Sequence, residues 1–146
     1  ARVDYRHGEM LQRLSREVLK QVDEFMACDI CSILWAFAEL GLGEAQADPA
    51  LFREPLTRLL RFLEEQVWTG SVPDPGGRAI VHPSDLVGLV ASLVSLISRS
   101  TTLQALSPLV DRLLVVASAF ASRYGALLSA SEICRLLWAF AASRRW

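Results

Sequence analysis

Residues 30–38 read ICSILWAFA, and residues 133–141 read ICRLLWAFA. Seven of the nine positions are identical, and the shared set holds Cys, Trp and Phe in register. Chance does not repeat such residues in one order, so the chain contains an internal repeat. Repeats decide a fold ahead of any other reading. Aligning Asp29 with Glu132, and both with Asp85, brings out a third, diverged copy. Ile30, Ile33, Leu34 and Phe37 then fall on Leu86, Leu89, Val90 and Leu93, and on Ile133, Leu136, Leu137 and Phe140. Each set is spaced i, i+3, i+4, i+7, which is one apolar face of a helix. The spacing predicts three such segments, termed here the A helices.

Working outward, B helices lie between them. Residues 49–68 carry Leu56, Leu59, Leu60 and Leu63, with Pro55 marking a first turn. Residues 103–124 carry Leu109, Leu113, Val116 and Phe120, with Pro108 near their start. An N-terminal helix over residues 5–26 has Leu11, Leu14, Val18, Val22 and Phe25 on one face and fits the B helix of a preceding repeat. Gly41 and Gly43 stop the first A helix, and Ser84 caps the second. Ser129 and Glu132 have the spacing of a capping box before the third. The one long loop, 69–83, is rich in Pro and Gly. No stretch alternates with period two, so no sheet is expected. The fold expected is all-α: about six helices in the order B–A–B–A–B–A, an α-solenoid of antiparallel helix pairs. It forms one domain over residues 1–146, with partial repeats at both ends, as in a slice of a longer solenoid.

Composition narrows the function. Hydrophobic residues make up 52% of the chain, enough for a substantial core. The formal net charge of −1 does not fit a domain built chiefly to grip phosphates. Lys20 is the only lysine among the basic residues. Arginine suits bidentate phosphate or carboxylate contacts, and a GC-rich genome gives the same bias. The most apolar stretch, Leu86–Ile97, is too short to span a bilayer, so no membrane insertion is expected. Three cysteines do not make a disulfide framework.

The segment 29–41, Asp-Ile-Cys-Ser-Ile-Leu-Trp-Ala-Phe-Ala-Glu-Leu-Gly, resembles the first helix of an octotricopeptide-type repeat. It is equally similar to the repeats of organellar proteins with RAP or FAST-kinase-like domains, including the heptatricopeptide proteins of apicomplexan parasites. Residues 132–141 match again, whereas 85–93 match only in apolar pattern, with Ala91 at the Trp position. The resemblance implies a helical scaffold that binds RNA in mitochondria, or alternatively in chloroplasts. Its most specific form is a mitochondrial ribosome component that contacts rRNA and neighbouring proteins. A free transcript-processing factor and a purely protein-binding scaffold are the alternatives. The net charge and the long first inter-repeat loop depart from the family pattern.

Candidate binding residues follow from charge. Arg2, Arg6, Arg13, Arg16 and Lys20 fall on one side of the N-terminal helix, opposite its apolar face, where they could track phosphates. Glu9, Glu17 and Glu24 lie on or beside the same stripe, so a solvated face with helix ion pairs explains it as well. Arg135 stands where the other copies have Ser32 and Gly88, at a polar, variable position of the A helix. Arg144 and Arg145 add a small cluster, and Arg53, Arg58 and Arg61 a weaker one. Trp35 and Trp138 could stack on bases, but packing against the adjacent repeat accounts for them more readily. Cys28 and Cys31 form a CxxC with no second ligand pair, so both are read as packing residues, and no metal or cofactor is expected. With two histidines and no nucleophile–base spacing, neither an enzyme nor a small-molecule substrate is expected.

Overall fold

The computed structural model describes residues 5–40, 49–69 and 81–144. They form six α-helices: α1 (Tyr5–Lys20), α2 (Ala27–Glu39), α3 (Ala50–Thr69), α4 (Pro83–Arg99), α5 (Ser107–Tyr124) and α6 (Ala130–Ser143). Short 3-10 turns at Val22–Glu24, Thr102–Leu106 and Gly125–Leu127 link some of them. No strand occurs among the described residues. The expected all-α class, helix number and order are therefore observed. Gly41, Gly43 and residues 70–80 of the expected loop lie outside the described residues.

Asp29, Asp85 and Glu132 each occupy the third position of an A helix, in α2, α4 and α6. The sequence alignment is thus also a structural register. An acid there sits over free backbone N–H groups at the positive end of the helix. Asp29 accepts a hydrogen bond from the Met26 backbone N–H at 3.1 Å. Glu132 accepts one from the Ser129 N–H at 2.7 Å, while the Ser129 hydroxyl accepts from the Glu132 N–H at 3.3 Å. The expected capping box is complete.

The second A helix is capped differently from expectation. His82, not Ser84, is its N-cap, with Nδ1 accepting from the Ser84 N–H at 3.3 Å. Pro83 takes the first helical position, where its missing N–H has no consequence, so Ser84 falls inside the helix. Pro55 departs likewise. The helix begins at Ala50, because the Pro49 carbonyl already accepts from the N–H groups of Phe52 and Arg53 at 3.2 and 2.9 Å. Pro55 is then buried inside α3 rather than marking its first turn. The N-terminal helix is shorter than expected and ends at Lys20, after which the backbone tightens into the 3-10 turn.

Packing arranges the helices about α4. It contacts α2 on one side, α6 on another and α5 on a third. The B helices contact one another in order, α1 with α3 and α3 with α5, and α2 also packs on α3. This explains why Leu86–Ile97 is apolar over most of its circumference: nine residues of α4 are buried. Leu56, Leu59, Leu60 and Leu63 of α3 are fully buried, as are Leu113 and Val110 of α5. Burying each such side chain stabilises by about 1.5–3 kcal/mol relative to exposure. Phe37 of α2 meets Phe52 of α3 edge to face, with centroids 6.2 Å apart. Ion pairs tie α3 to the turn after α1 and to α5 at the surface. Arg58 bonds the Asp23 carboxylate, and also its carbonyl at 2.8 Å, while Arg112 reaches both Glu64 oxygens at 2.8 and 3.0 Å. Thr102–Leu127 is long and apolar enough, by length and composition, to cross a membrane. A core helix meets the same criteria, and this segment carries Asp111, Arg112 and Arg123 while burying Val110, Leu113, Ala117 and Phe120 in the fold.

One expected core residue is not in the core. Leu14 of α1 is 52% exposed, although Val22 on the same expected face is buried. Leu14 aligns with Leu59 and Leu113, each preceded by Arg in its own B helix, and both of those are fully buried. The register therefore expects unequal costs from one substitution. Leu59→Ala should destabilise by about 2–5 kcal/mol, and Leu14→Ala by less than about 1 kcal/mol. Chemical denaturation of the two variants checks this.

Candidate functional site

The A helices together form a groove. Two adjoining cavities, of about 250 and 440 Å³, share Trp35, Gly88 and Arg135. The first is completed by Cys31, Ser32, Ser84 and Asp85, the second by Glu39, Ala91, Ser92, Ser95 and Trp138. Three helices contribute: α2 gives Trp35, α4 gives a floor of small residues, and α6 gives Arg135 and Trp138.

The repeat register explains the shape. Ser32, Gly88 and Arg135 hold the sixth position of α2, α4 and α6, and Trp35, Ala91 and Trp138 the ninth. Trp35 lies over Gly88: a Cβ placed there would be 3.8 Å from the indole Nε1. Trp35 thus packs on the neighbouring repeat, as expected, yet remains 47% exposed; Trp138 is 49% exposed. In the middle copy the ninth residue is Ala91, which keeps the groove open between the two indoles.

The charges in the groove are mixed. Arg135 is exposed and lines both cavities. Glu39 accepts a hydrogen bond from the Ser92 hydroxyl at 2.6 Å, and Asp85 is exposed at the other end. One cation against two acids does not make a phosphate track. The chemistry offered is flat apolar surface with a polar rim.

Among the described residues singled out by charge, only Arg135 lines this groove. Arg2 and Arg145 lie outside the described residues, and Arg6 is described only as part of the α1 backbone. Arg13, Arg16 and Lys20 are exposed on α1, which packs on α3, and Lys20 pairs with Glu17 at 2.6 Å. Arg144 is exposed at the end of α6. Arg58 is held by Asp23, and Arg61 lines a separate hollow with Glu54 and Thr57. The basic residues thus sit on two different rows of helices. Charge counting missed the floor of Gly88, Ala91, Ser92 and Ser95, although its spacing on one face of α4 is visible in the sequence.

Two titratable groups of the A helices are shifted from their ordinary values. Burial pushes the Cys31 thiol up to about 12, with Asp85 and Cys28 nearby adding to the shift. A metal-binding cysteine must be a thiolate, so this thiol fits its expected packing role. Among the described residues no three His, Cys, Asp or Glu gather as metal ligands. The Ser84 side chain, the Ser129 backbone and hydroxyl, and more weakly His82 hold the Glu132 carboxyl at about 2, below its ordinary 4.5. Ser84 and His82 stand at the start of α4 and Glu132 at the start of α6. Comparison with family models, curated proteins and solved structures finds no match to this chain.

Two outcomes follow. A lowered folded-state pKa contributes stability that is full above the unfolded value and is lost as pH falls through the folded one. Thermal melts between pH 5 and about 2 should therefore show a shallower pH dependence for Glu132→Gln than for the parent chain. Gly88→Ala leaves Trp35 at an ordinary contact distance and removes the cost of glycine in a helix. It should stabilise by about 0.5–1 kcal/mol in denaturant titration.

Proposed function

We propose that this chain is part of an α-solenoid of antiparallel helix pairs that binds single-stranded RNA across its A helices, a scaffold rather than an enzyme. The observation that carries this reading is the pair of repeat-equivalent tryptophans, Trp35 and Trp138. Both are half exposed on one groove, with Arg135 between the repeats. Exposed indole at a repeating interval on a small-residue floor is a platform for stacking bases, and stacking accepts any base because every base has a π face. Arginine adds a planar cation that stacks and bonds phosphate. The acids at the rim fit a protein that holds bases more than backbone, with shallow salt dependence. The resemblance to organellar octotricopeptide-type repeats supports the same reading. It implies a mitochondrial site of action, most specifically in the mitochondrial ribosome, with rRNA and neighbouring proteins as partners.

The test is titration of the chain with short single-stranded RNA, followed by intrinsic tryptophan fluorescence. Binding should quench the emission. Trp35→Ala and Trp138→Ala should each weaken binding by on the order of 1–3 kcal/mol, with Arg135→Ala adding to the loss. Unchanged affinity in both tryptophan variants would overturn the stacking model. A second reading, a scaffold for proteins alone, is favoured by the formal net charge of −1 and the 52% hydrophobic content. It expects association in cell extracts that survives nuclease.

A further inference from the structure

Two charged groups enter the groove where the repeat does not call for them. Glu39 holds the thirteenth position of α2, where the other copies have Ser95 and Ala142. Arg135 replaces Ser32 and Gly88. Neither belongs to a cap or to the buried stripe. Glu39 is also the last residue of its helix, the end at which the backbone dipole disfavours an acid. Facing a polyanion, its carboxylate costs further Coulomb energy unless N–H groups of the ligand meet it. Geometry joins Glu39 to the exposed indole, because Trp35 and Glu39 are four residues apart and so neighbours on one face of α2. The Ser92 hydroxyl of α4 donates to Glu39 Oε1 at 2.6 Å and draws the carboxylate over the groove floor. A carboxylate has about four acceptor sites, so this bond leaves capacity for a ligand. Arg135 comes in from α6 and lines the same cavity of about 440 Å³.

We infer that the groove prefers guanine among the bases of a single-stranded RNA, an inference that rests on the RNA reading given above. The base stacks on Trp35, Glu39 accepts from its N1–H and N2 amino groups, and Arg135 donates to its O6 and N7. Guanine is the one base with two adjacent donors on one edge and two adjacent acceptors on another. The arginine fork matches O6 and N7 with two parallel hydrogen bonds, which a point charge does not. Adenine and cytosine set a ring acceptor beside their single amino group, and that acceptor repels the carboxylate. In uracil the N3–H stands between two carbonyl oxygens, which do the same. The acid that weakens this groove as a phosphate track is thus what makes it selective. Ser92 acts through Glu39 as a positioning residue.

Tryptophan-fluorescence titration of the whole chain tests it with short oligouridylates. Each strand carries one central guanosine, adenosine, cytidine, inosine or 7-deazaguanosine, or no substitution. The guanosine strand should bind on the order of tenfold more tightly than the adenosine, cytidine and unsubstituted strands. Inosine lacks the N2 amino group and 7-deazaguanosine lacks N7, so each should lose part of that preference. Glu39→Gln should bind plain oligouridylate more tightly than the parent chain, yet no longer separate guanosine from inosine. Arg135→Lys keeps the charge without the fork and should no longer separate guanosine from 7-deazaguanosine. Ser92→Ala should reduce the preference and Ser92→Thr restore it. Glu39 and Arg135 are exposed and Ser92 is half-buried, so the variants keep the fold, which circular dichroism melts verify. Equal binding of all strands, or a preference that survives both Glu39→Gln and Arg135→Lys, would overturn the guanine assignment and leave RNA binding standing. Binding of no strand would overturn both. Guanosine monophosphate that binds as tightly as the guanosine strand would assign the groove to a free nucleotide instead.

Discussion

Burial of α4 on several sides is the constraint from which the rest of the structure follows. Leu86, Leu89, Val90, Leu93, Val94, Leu96 and Ile97 lie at 1% exposure or less. A helix with this surface cannot meet water on more than a narrow strip. That strip is Gly88, Ala91, Ser92 and Ser95, and it becomes the floor of the groove. The helices that cover the other faces, α2, α5 and α6, are thereby placed, and α3 follows through its contacts with α2 and α5. The groove thus exists because, between its exposed ends, the central helix is buried except along its smallest residues.

Size complementarity then sets what the groove displays. At the sixth position of α4 the Trp35 indole lies over the neighbouring helix, 3.8 Å from where a Cβ on Gly88 would stand, so a small residue suffices there. Alanine at the ninth position of α4 leaves the next site unfilled, and Arg135 enters from α6. The sixth position therefore carries a different residue in each copy, and the ninth alternates Trp, Ala, Trp, while the apolar stripe beneath stays constant. A repeat protein that keeps its seam and varies its surface can present a different contact from each unit.

Much of this was legible in the sequence. The acid at the third position, the apolar stripes and the Ser129–Glu132 box all act within one or two turns of helix, where spacing alone determines geometry. The Ser84 cap and the Pro55 first turn were misplaced by a few residues. Helix starts there depend on which carbonyl first accepts a hydrogen bond, and Pro49 and His82 supply it. Exposure was not legible, because it depends on neighbours rather than on the helix itself. Leu14 and Leu137 have the pattern of core residues, yet no helix covers them among the described residues. Nor could spacing show that the α1 basic stripe and Arg135 lie on different rows of helices. That follows from long-range packing.

The most direct test of the central claim, that the A-helix groove is the RNA-facing surface, is ultraviolet crosslinking of the full-length protein in intact cells. Purification under denaturing conditions and mapping of the crosslinked peptides would follow. The groove model expects nucleotides attached to peptides that contain Trp35 or Trp138, with the attached RNA of organellar origin. Crosslinks confined to α1, or no RNA above an uncrosslinked control, would contradict it.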